Sequence, residues 1–369
     1  MNARVPPPRA SSLLPEHFRQ NGRGAKSNAA GRYETAASEP FDDGWGTNDA
    51  PAPRLETTLI RDASRTIIAT NDSPDIGFGR SINPYRGCEH GCIYCYARPS
   101  HAYWGYSAGL DFESKLFFKP DAAALLDKTF RKKGYVPETI AIGANTDPYQ
   151  PVERRLRITR SILEVCLKFR HPVAIVTKSA SIMRDLDILE ALSALNLVRV
   201  AISVTTLDRA LARAMEPRAA TAERRLEAMR VLSRAGVPVT MMTAPIIPGL
   251  TDREIETLLE AGADAGAGSA SYVLLRLPLE VSPLFQEWLE TERPDAARKI
   301  MSLVRQTRGG KDYDATFHKR GRGEGPIADL IAQRFEKARR RYGLDGERTP
   351  LRTDLFEVPL ENGAQLSLF

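Results

Sequence analysis

Short apolar runs alternate with longer segments of helical periodicity from Ser81 to Leu277, and this alternation is the strongest constraint on the fold. The runs Ile82 to Tyr85, Thr139 to Gly143, Val173 to Thr177, Val198 to Val204, Val237 to Met242 and Ser271 to Leu277 read as strands. Several are continuous β-branched stretches, as required when both faces of a parallel sheet are covered. Helical patterns intervene at Leu156 to Phe169, Ile182 to Leu195, Ala219 to Ala235 and Asp252 to Ala263, the last behind a candidate N-cap, Thr251. Six strand and helix units in series predict an α/β fold, a partial (β/α)6 TIM-like barrel with its ligands at the strand ends. Beyond Val281 the pattern gives further helix, a Gly-rich basic loop from Lys319 to Gly325 and a basic helix from Pro326 to Tyr342.

Composition sets the domain limits. Hydrophobic residues are 42% and charged residues 27% of 369, enough for a sizeable core. Residues 1–55, rich in Ala, Pro, Ser, Gly and Arg, lack sustained apolar periodicity and read as a disordered leader. The core domain is then 56–280, a helical basic extension 281–345, and a flexible tail 346–369. No apolar run approaches the length of a membrane span and the N-terminus has no signal-peptide core, so a cytoplasmic protein without a membrane partner is expected. The net charge of +6 is uneven: thirteen Lys and Arg stand against five acids between Arg298 and Tyr342. Such a segment suits either a polyanion or a solvated helix face.

Three of the four cysteines, Cys88, Cys92 and Cys95, form C-x3-C-x2-C directly after the first strand. Three thiolates on one loop suit three irons of a 4Fe-4S cube, leaving the fourth iron open to a cofactor. Structural zinc completed by His90 or His101 is the alternative metal reading. A dithiol at Cys92 and Cys95 would leave Cys88 idle. Cys166 falls on an apolar helical face and reads as core. Arg276, a lone charge in an apolar strand, needs a substrate phosphate, a cofactor carboxylate or a buried acid as partner.

The stretch Tyr85-Arg-Gly-Cys88-Glu-His-Gly-Cys92-Ile-Tyr94-Cys95-Tyr96 resembles the signature of the radical S-adenosylmethionine (SAM) superfamily. That resemblance implies a 4Fe-4S cluster whose open iron chelates SAM, which is cleaved reductively to a 5′-deoxyadenosyl radical. Within the superfamily, the Tyr94-Cys95-Tyr96 triplet, the turn Gly143-Ala-Asn-Thr-Asp147-Pro-Tyr-Gln-Pro151, Thr177-Lys178-Ser179 and Ser203 resemble the DNA-repair-photolyase-like branch that contains spore photoproduct lyase. The likeness implies Asn145 near the cofactor's amino group, Lys178 at its carboxylate and Ser203 at its ribose or methionyl part. Strand ends and a charge-assisted Lys donor suit a carboxylate in an apolar barrel mouth. Asp147 reads equally as a ligand contact or a turn former. The branch's hydrogen-donating thiol has Ala144 in its place, which leaves a relay through Tyr94 or Tyr96, or plain packing of those rings about the cluster. The run Ala244-Pro245-Ile-Ile-Pro248-Gly249 is similar to the superfamily's adenine-contacting element and implies Gly249 against that ring; an ordinary βα turn is the alternative.

The final residues Gln365-Leu366-Ser367-Leu368-Phe369 resemble the peptide by which bacterial polymerases and repair proteins dock on the sliding clamp. Leu366, Leu368 and Phe369 would fill apolar pockets and Gln365 would make directed hydrogen bonds. The expectation is a radical SAM enzyme acting on damaged DNA through its basic extension. The alternatives are an enzyme of that class modifying RNA or protein, and a zinc-stabilised DNA-binding adaptor without catalysis. The sequence names no electron donor.

Overall fold

A computed structural model describes residues 22–33, 55–346 and 349–360. Its strands are β1 (Thr58–Arg61), β2 (Ile68–Thr70), β3 (Arg80–Ile82), β4 (Tyr85–Arg86), β5 (Lys115–Phe118), β6 (Ile140–Ile142), β7 (Val173–Thr177), β8 (Val198–Ser203), β9 (Val239–Ile246) and β10 (Ser269–Leu274). The principal sheet runs β10-β9-β8-β7-β6-β3-β2, parallel except for the antiparallel edge strand β2. Its six parallel strands follow chain order, and helices return the chain between most of them, which is the expected six-unit partial barrel. Register aligns Ile142 with Ile175, Thr177 with Ile202 and Ser203 with Met242, bringing the C-terminal ends into one mouth. Beneath it Ile140, Val173, Val198, Ile202 and Met241 are fully buried, as the continuous apolar runs require.

Two boundaries differ for local reasons. Thr251 precedes a 3-10 turn over Asp252–Glu254, but its hydroxyl turns back to accept from the Ile247 amide at 2.9 Å instead of capping, and the α-helix proper begins at Ile255. The 319–325 loop contains one helical turn, Lys319–Arg322, ended by Gly323.

The leader and the tail also depart from expectation. Residues 22–33 are not loose: Arg23, Ala25 and Ser27 are buried, because Glu113 presents a buried carboxylate to the Gly24 and Ala25 amides. Residues 349–360 cross the ends where β7 and β8 begin. There the Arg352 amide donates to the Asn196 carbonyl at 3.0 Å and the Glu357 amide to the Phe169 carbonyl at 3.1 Å. Phe356 packs on Phe130 and His171, each with ring centres 5.7 Å away, so a segment that reads as polar linker is held by its few apolar residues.

The basic helix Pro326–Arg341 lies on β10, with Phe335 and Tyr272 ring centres 4.6 Å apart. After it, the Leu344 carbonyl accepts from the Ala270 amide and Asp345 bridges Ser269. Arg339, Arg340 and Arg341 therefore stand at the end of the barrel opposite the mouth, where Glu336 pairs with Arg339 and Arg340. No helix among the described residues is long and apolar enough to cross a membrane.

Candidate metal centre

The cysteine loop leaves β4 at the barrel mouth, and buried polar groups fix its path. Gln150 accepts from the Glu89 amide at 2.8 Å and donates to the Gly87 carbonyl at 3.3 Å. Arg98, fully buried, donates to the carbonyls of Gly91, Cys92, Ala108 and Gly109, and its charge meets Glu113 at 2.5 Å. A guanidinium can satisfy four carbonyls of an irregular loop at once because its donors form a planar fork.

Cys88 and Cys92 are buried, Cys95 is partly buried, and none of the three is in a disulfide. Burial pushes the Cys88 thiol well up, and the charges of Asp147, Cys92 and Cys95 push it further. Burial likewise raises Cys92 and Cys95. Three thiols in such a place ionise only with a cation among them, so the donor set fits an iron-sulfur cluster. His90 is engaged by Asp147 at 3.4 Å, and His101 is enclosed by Tyr106, Phe112 and Phe117. Among the described residues no three His, Cys, Asp or Glu side chains converge on a point that could hold a single metal ion. A cube makes no such demand, since each thiolate meets a different iron.

Lys178, at the end of β7, donates to the Ser203 hydroxyl at 2.6 Å and the Ala244 carbonyl at 2.9 Å. Burial lowers its ammonium to about 8, against the opposing pull of Cys92. Lys178 and Ser203, singled out separately in the sequence, are thus one hydrogen-bonded pair. Asn145 sits in the turn after β6, its amide bonded to Asn83 Oδ1 at 2.9 Å.

Asp147 is a bracket. It accepts from the Tyr149 amide, the Thr177 hydroxyl and the Lys178 amide. Burial alone would raise its carboxyl, but His90 and these donors hold it below the usual carboxylate range.

The two tyrosines separate. Tyr94 is buried, its hydroxyl committed to Glu216 and Thr205, whereas Tyr96 is exposed and donates to the Ala144 carbonyl. Arg276 stacks over the Tyr96 ring at 4.8 Å. Gly249 lies in an exposed turn, its amide bonded to Asp252 at 2.9 Å. A Cβ there would stand 2.6 Å from Leu303 Cδ1, so at φ 77° this glycine is explained by its turn and by the packing of helix Pro294–Gln306.

A model of the radical SAM superfamily matches residues 82–261. An uncharacterised protein of Mycobacterium tuberculosis is 33% identical over 231 residues, 62% of this chain and 68% of that protein. The chain belongs to the radical SAM superfamily. A second relative, an uncharacterised protein of Methanocaldococcus jannaschii, is 27% identical over 58% of this chain and 76% of its own length. Among solved structures, spore photoproduct lyase complexed with dinucleoside spore photoproduct superposes with a TM-score of 0.52 at 18% identity, over 77% of this chain and 78% of that one. A variant of the same lyase gives 0.53. At this identity the likeness speaks for the fold.

Sequence reading missed Glu216, which is buried in an ion pair with Arg225 and accepts from Thr205 at 2.7 Å. It also missed Arg98, Glu113 and Gln150. Each sits in a turn or a short helix where a charged or amide residue reads as solvated, and no spacing marks its partner.

Proposed function

We propose that the protein is a radical SAM enzyme acting on nucleic acid, with damaged DNA as its substrate. Cys88, Cys92 and Cys95 hold the 4Fe-4S cluster, which when bound supplies the electron for reductive cleavage of SAM. Lys178 binds the cofactor carboxylate, Ser203 its ribose or methionyl part, and Asn145 lies towards its amino group. The observation that carries this reading is the Lys178 ammonium, held by Ser203 and Ala244 at the strand ends and within the electrostatic reach of Cys92 and Cys95. A partly buried cation with no carboxylate among the described residues within direct hydrogen-bond distance, Glu216 standing at 3.9 Å, suits an anionic ligand group.

Arg276 and Tyr96 support a nucleic-acid substrate: a flat ring to stack on and a fork for phosphate at one mouth. Spore photoproduct lyase, whose fold is similar, has been seen with a dinucleoside lesion. Tyr96 is the residue to which we assign hydrogen return, since its hydroxyl meets Ala144, where the branch carries a thiol. Tyr94 has its hydroxyl committed elsewhere. Docking of Gln365, Leu366, Leu368 and Phe369 on a sliding clamp is a proposal from sequence, because residues 361–369 lie outside the described chain.

The test is anaerobic reconstitution with iron and sulfide, then assay for 5′-deoxyadenosine with ultraviolet-damaged DNA, undamaged DNA and RNA. Lesion loss coupled to 5′-deoxyadenosine supports the proposal. Cleavage coupled only to RNA moves the substrate to RNA, and no cleavage with any substrate or reductant overturns the enzyme reading.

A further inference from the structure

Residues 23–27 precede the superfamily match and cross directly over the cysteine loop. The Gly24 and Ala25 amides donate to the two carboxylate oxygens of Glu113 at 3.0 and 2.8 Å. The same carboxylate receives Arg98, which holds the Gly91 and Cys92 carbonyls at 3.1 and 3.0 Å. One continuous polar chain thus runs from the segment's backbone through Glu113 and Arg98 to the loop between Cys88 and Cys92. The crossing is too close for side chains: a Cβ on Gly24 would stand 1.8 Å from the Gly91 oxygen, and one on Gly91 would stand 2.6 Å from Glu113 Oε2. Ala25 is buried in the same apolar cluster as Cys92, Ile93 and Leu110. Outer bonds complete the hold, with Arg23 on the Glu113 carbonyl at 2.6 Å, Lys26 on Glu292 at 2.7 Å and Ser27 on Glu287 at 2.7 Å.

We propose that residues 23–27 are a strap belonging to the iron-sulfur site, which fixes the path of the cysteine loop and screens Cys92 from solvent. Glu113 and Arg98 are its positioning residues. The inference rests on the cluster reading only in what the strap protects. A carboxylate that accepts two backbone amides and a guanidinium has its lone pairs satisfied, so the strap is part of the buried structure and not a surface appendage.

Two full-length variants test this. Gly24→Val forces the crossing apart, and the triple change Arg23→Ala, Lys26→Ala, Ser27→Ala loosens the outer bonds without any clash. In the iron-free protein, alkylation of each cysteine by iodoacetamide is followed by mass spectrometry, with Cys166 as the internal control. Cys92 is expected to react about tenfold faster in either variant, the factor that follows from losing hydrogen bonds to a buried charged group, while Cys166 is unchanged. After anaerobic reconstitution, the visible absorption should also bleach faster in air. Wild-type alkylation and bleaching rates in both folded variants overturn the strap. Failure of the wild-type protein to retain iron overturns the cluster reading instead, and the alkylation rates then judge the strap alone.

Discussion

The Arg276 guanidinium carbon lies 4.8 Å from the centre of the Tyr96 ring, and Arg276 Nη2 donates to the Tyr313 hydroxyl at 3.3 Å. Its Nε is buried and has no hydrogen-bond partner among the described residues. A buried donor left open costs free energy that a ligand acceptor restores. Arg276→Gln is therefore expected to weaken substrate binding by about tenfold, an effect of roughly 1.4 kcal/mol, and to leave substrate-free SAM cleavage intact. Charge reversal of Arg339, Arg340 and Arg341, at the opposite end of the barrel, should leave that binding unchanged. Fluorescence anisotropy with labelled damaged DNA decides both.

Lys178→Met removes the ammonium proposed for the cofactor carboxylate. The expected loss is about 1.5–3 kcal/mol of SAM binding, read by anaerobic calorimetry, with the cluster's absorption retained. An unchanged affinity would remove Lys178 from the cofactor site.

Replacing Cys92 by Ala should abolish both the visible charge-transfer absorption and SAM cleavage. Cys166 is fully buried in the main apolar core, its thiol pushed up to about 12 by burial, and Cys166→Ala should preserve both. Iron content after reconstitution is the direct measurement.

Arg225 is buried with Glu216 and also donates to the Ser203 carbonyl at 2.9 Å. Arg225→Met leaves a buried carboxylate uncompensated, which costs about 3–5 kcal/mol and lowers Tm by roughly 10 °C. Differential scanning calorimetry of the two proteins checks this.

Burial lowers His171 from 6.5 to about 4, where it stacks on Phe130 with ring centres 4.3 Å apart. His101 is likewise lowered to about 4 by burial. The unfolded chain takes up these protons first, so stability falls as pH drops from about 6.5 towards 4, and neither group contributes to the slope well above 6.5. Urea midpoints measured from pH 7 to pH 5 should decline, and His171→Phe should flatten the decline.

The barrel was legible because its strands are covered on both faces, fully on one and partly on the other, so β-branched runs such as Val173 to Thr177 mark themselves. Cys88, Cys92 and Cys95 were legible through spacing, and Lys178 and Ser203 through local likeness. Short strands such as β1 and β5 of the small three-stranded sheet were not, since a four-residue strand gains its meaning only from the partner it pairs with. The contacts of Glu113, Glu216 and Gly24 were equally invisible. Glu113 and Gly24 join positions 89 residues apart, Glu216 pairs with Arg225 on the next helix, and a buried charge leaves no periodic trace when its partner is a backbone amide or a single arginine on another element. Gly249 was legible only as a turn glycine, since such a residue looks alike in sequence whether a ligand or, as with Leu303 here, a neighbouring side chain approaches it.

The course of residues 349–360 gives the molecule a front and a back. The proposed site opens where the sheet's strands finish, while residues 349–360 are pinned where β7 and β8 start. From Leu360 to Gln365 is five residue steps, at most about 17 Å of extended backbone. A partner that gripped residues 365–369, as proposed from their sequence, would therefore hold this protein close, from the end opposite the mouth, as a hand holds a lamp.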